Sequence, residues 1–106
     1  MLWGGACAGA GMLVAAASGA LAAQPAKHTV VIDGSSYQPA AITVKKGDAV
    51  TWVNKDPFPH TITSAGKFDS RSVAAGAKWT YRVNKPGEYQ YICTLHPNMK
   101  GALKVE

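Results

Sequence analysis

After Lys27, no stretch of this 106-residue chain keeps a 3.6-residue apolar rhythm. Its apolar segments are short, rich in β-branched and aromatic residues, and closed by turn-forming residues, which is the pattern of strands and not of helices. The segments are Thr29–Ile32, Ile42–Lys45, Ala49–Val53, Lys78–Val83, Glu88–Cys93 and Ala102–Val105. Between them stand Asp33-Gly34, Lys46-Gly47-Asp48, Ala75-Gly76 and Lys85-Pro86-Gly87, each carrying residues that reverse a chain readily. Lys78 to Val83 alternates polar and apolar side chains, so one face of that strand is to be buried and the other wetted. Strands of this kind hide their apolar face against a second sheet. The expected fold is therefore all-β, a Greek-key two-sheet sandwich of about 7–8 strands.

The beginning of the chain reads differently. Met1 to Ala23 carries no charged side chain, is mostly Ala and Gly, has a modest apolar centre at Met12-Leu13-Val14, and ends in Ala20-Leu21-Ala22-Ala23. Such an ending marks an export signal, although no Lys or Arg precedes the apolar centre. Two units are expected, an export leader over 1–23 and a folded domain over 24–106, with the domain in the periplasm. The leader is expected to be removed and not kept as a membrane anchor, because Ala and Gly are poorly hydrophobic on an insertion scale. No second apolar stretch approaches the roughly 20 residues of a spanning helix. A domain this small buries only about 60% of the surface of its unfolded chain, so an additional staple helps it.

All 11 Lys+Arg and all 6 Asp+Glu lie from Lys27 onward, so the net charge of +5 belongs to the domain alone. The lysines are scattered and no nucleic-acid motif accompanies them, which points to an acidic protein partner and away from nucleic acid. The length excludes an enzyme with a substrate domain of its own.

Removal of the leader, and Cys7 with it, leaves Cys93 as the single cysteine. In an exported protein an unpaired cysteine is an intermolecular bridge, a stray thiol or a metal ligand. Its neighbours choose between these. Cys93-Thr94-Leu95-His96-Pro97-Asn98-Met99 places a thiol, an imidazole and a thioether within seven residues of a strand end, and Pro57-Phe58-Pro59-His60 supplies a second imidazole on a proline-flanked loop. Taken singly, a methionine is usually core and a histidine usually surface, as His28 is expected to be. Together, two histidines, one cysteine and a weak axial methionine make the ligand field of a blue-copper electron-transfer site. Soft sulfur favours Cu(I) and imidazole serves both oxidation states.

These residues resemble the cupredoxins, and within them the amicyanin-like and plastocyanin-like small blue copper proteins. The resemblance runs from about Thr29 to Glu106. Ala41 to Asp48 followed by Val50-Thr51-Trp52-Val53-Asn54 is similar to the family's entry into its third strand, and His60 falls where the first copper histidine falls. The two residues between Cys93 and His96, and the two between His96 and Met99, match the shortest ligand loop of the family. The resemblance implies one type 1 copper ion with His60, Cys93 and His96 as equatorial ligands and Met99 as the axial one. The chain also departs from the family. Thr61 stands where Asn commonly ties the cysteine loop, and its hydroxyl is expected to make that tie instead. Leu95 and Asn98 replace a proline and a bulky apolar residue, and Ile92 replaces the tyrosine that precedes the cysteine in plastocyanins. Electrons are then expected to pass through the exposed edge of His96.

The function expected is a monomeric one-electron carrier between protein redox partners, copper cycling between Cu(II) and Cu(I), with no substrate chemistry and no small-molecule substrate. The alternative is a copper chaperone or storage protein that hands over the metal itself. A reductase would require a second copper site, and His28 is the only further histidine. Phe58, Pro59, Leu95 and Pro97 are expected to form an apolar docking surface around His96, with the lysines steering toward an acidic partner.

Overall fold

The computed structural model describes residues 24–106; the proposed leader and Cys7 lie outside them. Nine strands follow one another: β1 (Lys27–Asp33), β2 (Ser36–Gln38), β3 (Ala41–Val44), β4 (Ala49–Asn54), β5 (Thr63–Ser64), β6 (Phe68–Asp69), β7 (Lys78–Arg82), β8 (Gly87–Cys93) and β9 (His96–Val105). They form two sheets, β2-β1-β4-β7 and β3-β9-β8-β5-β6. The all-β sandwich of the sequence analysis is what the chain forms, with nine strands in place of the expected seven or eight. Beyond the six segments read in the sequence lie β2, β5 and β6, of three, two and two residues, too short to print a period-2 pattern. β9 also begins at His96, six residues before the expected Ala102, so the stretch read as a ligand loop is the start of a strand.

The chain crosses between sheets early. β1 pairs in parallel with β4, Val30 opposite Trp52, while β3 between them lies in the other sheet, parallel to β9. In β4 the burial alternates, and Val50, Trp52 and Asn54 point into the core. Trp52 is fully buried; covering an indole of about 150–250 Å² at about 25 cal/mol per Å² is worth roughly 4–6 kcal/mol. Its Nε1 donates to the hydroxyl of Tyr91 on β8, 3.2 Å away, and so ties the two sheets through the core. The two rings meet edge to face, with centroids 5.6 Å apart.

Tyr91 stands opposite Gly101 on β9. A Cβ at position 101 would lie 2.3 Å from the Tyr91 ring, so the ring occupies the place of the missing side chain. The hairpin of β8 and β9 thus rests on the core just below the ends that carry Cys93 and His96.

Candidate metal centre

Two chain segments converge at one end of the sandwich. The first follows β4. Asn54, fully buried at the strand end, faces the carbonyls of Phe58, Val73 and Ala74 with Nδ2 at 2.9, 3.0 and 3.3 Å, and accepts from the N–H of Asp56 with Oδ1 at 3.0 Å. One side chain therefore shapes the whole proline-rich loop from inside. His60 is pinned by a two-way bridge to Val73, each N–H donating to the other's carbonyl.

The second segment is the β8–β9 hairpin. Cys93 pairs with His96 across the Thr94-Leu95 turn, but the next pair is Ile92 with Lys100. Pro97, Asn98 and Met99 are left without partners, a bulge of the kind that re-aims side chains beside functional sites. Proline at 97 suits this, having no N–H to give to the ladder.

The convergence brings His60, Cys93 and His96 together. Ligand atoms of His60, Cys93 and His96 all lie within 4.8 Å of one another. Cys93 Sγ is 3.6 Å from Nδ1 of His60 and 3.9 Å from Nδ1 of His96. His60 and Cys93 are completely buried, and His96 is exposed. Met99, three residues further, is buried and lines one cavity with Ser35, Leu95, His96, Pro97 and Asn98. Phe58 covers the imidazoles from outside, its ring 5.1 Å from that of His60 and 5.8 Å from that of His96. Phe58 and Leu95 are the large apolar side chains that remain exposed among the described residues.

Cys93 is a free thiol whose sulfur accepts from the N–H of Thr61 at 3.2 Å. The thiolate is the form of a cysteine that binds a metal. The hydroxyl oxygen of Thr61 accepts from the N–H of Thr94 at 2.9 Å, so threonine makes the tie between the two loops expected of it. Tyr37, whose phenol is pushed up by burial and by the nearby Cys93, donates to the carbonyl of Thr61 from below.

His28 lies at the start of β1, where Nε2 pairs with Asp48 at 2.9 Å; it is partly covered and not wholly on the surface as expected. Asp56, which the sequence analysis did not single out, is buried beneath the site, and its Oδ2 lies 2.6 Å from Nε2 of His60. Burial alone would raise its carboxyl, yet the N–H of Ser35, the ring of His60 and the N–H of Gly34 together hold it below the usual carboxylate value.

A thiolate with two imidazole nitrogens is a donor set for copper, and the residues present fit it: each histidine turns Nδ1 toward the sulfur. The sequence profile of the cupredoxin-like domain matches residues 5–105. Amicyanin-alpha of Methylorubrum extorquens is 40% identical over 102 residues, which cover 87% of this chain and 86% of the relative. Chloroplastic plastocyanin of Tetradesmus obliquus is 35% identical over 101 residues, covering 82% and 70%. Among solved structures, a copper-containing nitrite reductase of Thermus scotoductus superposes with a TM-score of 0.72 at 30% identity, over 79% of this chain but 23% of that one. The chain belongs to the cupredoxin family. Its curated relatives include amicyanins and plastocyanins.

Proposed function

We infer that this chain is an exported one-electron carrier holding one copper ion on His60, Cys93, His96 and Met99. Bound there, copper supplies a Cu(II)/Cu(I) couple; everything else is the work of the chain. The observation that carries the reading is the asymmetry of the donors: a fully buried thiol and imidazole beside a second imidazole whose edge is exposed. Buried donors held by Thr61, Asn54 and Val73 keep their places when the charge at the site changes, so little reorganisation accompanies electron transfer. The exposed ring of His96 gives electrons a short way out, and Phe58 and Leu95 beside it offer an apolar contact to a partner protein. The +5 charge suits an acidic partner.

A carrier, and not an enzyme, is supported by the third histidine being engaged with Asp48 at the start of β1. A chaperone or storage protein would have to release its metal, and donors as deeply enclosed as Cys93 and His60 oppose that. Export of the domain 24–106 to the periplasm behind a leader over 1–23, and a monomeric state, complete the reading.

Titration of the metal-free protein with Cu(II) tests it. An intense visible copper–thiolate band is expected, bleached by a one-electron reductant and restored by an oxidant without loss of metal. A colourless Cu(II) complex, or metal passed to a chelating acceptor on reduction, would rule it out.

A further inference from the structure

The geometry points to Asp56 as a positioning residue for His60, one that selects which ring nitrogen is the bare donor and places a fixed negative charge behind it. This rests on the copper reading above, and it concerns a residue outside the ligand set. Neutral imidazole has one N–H and one lone pair, and an ionised carboxylate can only accept. Asp56 already accepts from Gly34 N–H through Oδ1 at 2.7 Å and from Ser35 N–H through Oδ2 at 2.9 Å. The 2.6 Å contact from Oδ2 to Nε2 of His60 is then a third donated bond. Nε2 must carry the proton. Nδ1, on the side of Cys93, is left as the lone pair that a metal requires.

The holder of the carboxylate is the β1–β2 turn. Gly34 and Ser35 both have positive φ, 61° and 56°, the pair of left-handed residues of a tight two-residue hairpin. Such a turn directs successive N–H groups to one side and makes a concavity for an anion. Serine rarely adopts this conformation, and here its N–H is bound to Asp56. Two segments far apart in sequence, the turn at 34–35 and the loop that carries both Asp56 and His60, thus form one line that ends at the thiol. The turn also borders the cavity of His96 and Met99 through Ser35. Among the described residues no lysine or arginine pairs with Asp56, so its charge acts on the site through the ring. A carboxylate behind a ligating imidazole makes the ring a stronger donor and favours the more highly charged metal. Asp56 should therefore lower the reduction potential and tighten Cu(II) binding.

The test compares the wild-type protein with Asp56→Asn, Asp56→Glu and, as a control, Asp48→Asn. Asn keeps the volume and an acceptor but loses the charge. Voltammetry of the copper-loaded Asp56→Asn protein should show the preference for Cu(I) over Cu(II) increased about tenfold, a rise of about 59 mV for one electron. Asp56→Glu, which restores the charge, should return toward the wild-type potential, while Asp48→Asn should leave it unmoved. An unchanged potential in Asp56→Asn, or an equal shift in Asp48→Asn, would overturn the proposal. If Asp56→Asn does not fold, the comparison rests on Asp56→Glu and on nitrogen NMR of the metal-free wild-type protein at neutral pH. There His60 should show a proton on Nε2 and none on Nδ1, and the opposite tautomer would overturn the proposal. This measurement needs no copper, so its result is separate from failure of the Cu(II) titration.

Discussion

Strand β4 has a buried aspartate just outside each end, Asp48 before it and Asp56 after it, and each is paired with a histidine. The two constellations are built alike. Each carboxylate accepts one imidazole Nε2 and two backbone N–H groups, those of Ala26 and Lys45 at Asp48 and those of Gly34 and Ser35 at Asp56. Together they clamp β1 at both ends. They differ in what the far side of the ring meets. His28 is 30% exposed, whereas His60 is fully enclosed and turns its other nitrogen to Cys93. The same acid–imidazole unit is thus a fastening at one end and part of the proposed copper site at the other. The second role comes from burial and from the hairpin of β8 and β9, not from the pair itself.

The largest effect expected of that difference is all or none. Cys93→Ser should abolish the copper–thiolate band completely while the sandwich remains folded, because oxygen does not replace the thiolate bond. His28→Ala should leave the band at full intensity. Visible absorption with circular dichroism on both variants reads this, and a coloured Cys93→Ser protein would break the comparison at its root.

A smaller change is expected at Met99. Met99→Leu should retain the metal and raise the reduction potential by on the order of 60 mV, a tenfold shift toward Cu(I), since a soft axial donor gives way to an apolar group. A potential that stays level or falls in voltammetry would remove Met99 from the ligand set.

The mildest effect belongs to the other end. The hydrogen bond from His28, with the N–H groups of Lys45 and Ala26, lowers the Asp48 carboxyl from 3.8 to about 2. A lowered value contributes stability above the ordinary carboxylate range and loses it as pH falls through the folded-state value. Wild-type protein should therefore lose stability between about pH 4 and pH 2 more steeply than Asp48→Asn. Denaturant midpoints across that window measure it, and equal slopes would show that the clamp carries no charge contribution.

The comparison also explains what could be read from the sequence. Cys93, His96 and Met99 are near neighbours whose spacing is visible in the chain, and the polar–apolar alternation of Lys78 to Val83 declares the face on which Trp79 and Tyr81 are half-buried. Asp56 offered no such signal. Its partners at 34 and 35 lie 22 and 21 residues away, and its spacing of four from His60 falls in a proline-rich loop where no helical period gives four a meaning. The same limit hid β5 and β6, two residues each, whose pairing depends on β8 and on the turn at Ala65-Gly66. The early start of β9 was masked by Pro97, which reads as a strand breaker until the bulge accommodates it.

The tie between Thr61 and the β8–β9 hairpin can also be regarded in polymer terms. The bonds from Thr61 N–H to Cys93 and from Thr94 N–H to Thr61 close chain loops spanning 32 and 33 residues. The entropy of closing a flexible loop grows only with the logarithm of its length, and doubling it costs about 0.6 kcal/mol. Length is therefore a weak constraint on an exposed stretch inside this loop such as Asn84 to Gly87, and extra residues there should leave the two anchors facing each other. Within the anchors the opposite holds: one residue added between Cys93 and His96 would change the hairpin register itself. The site is thus tolerant along most of the chain that encloses it and intolerant over the few residues where that chain is tied.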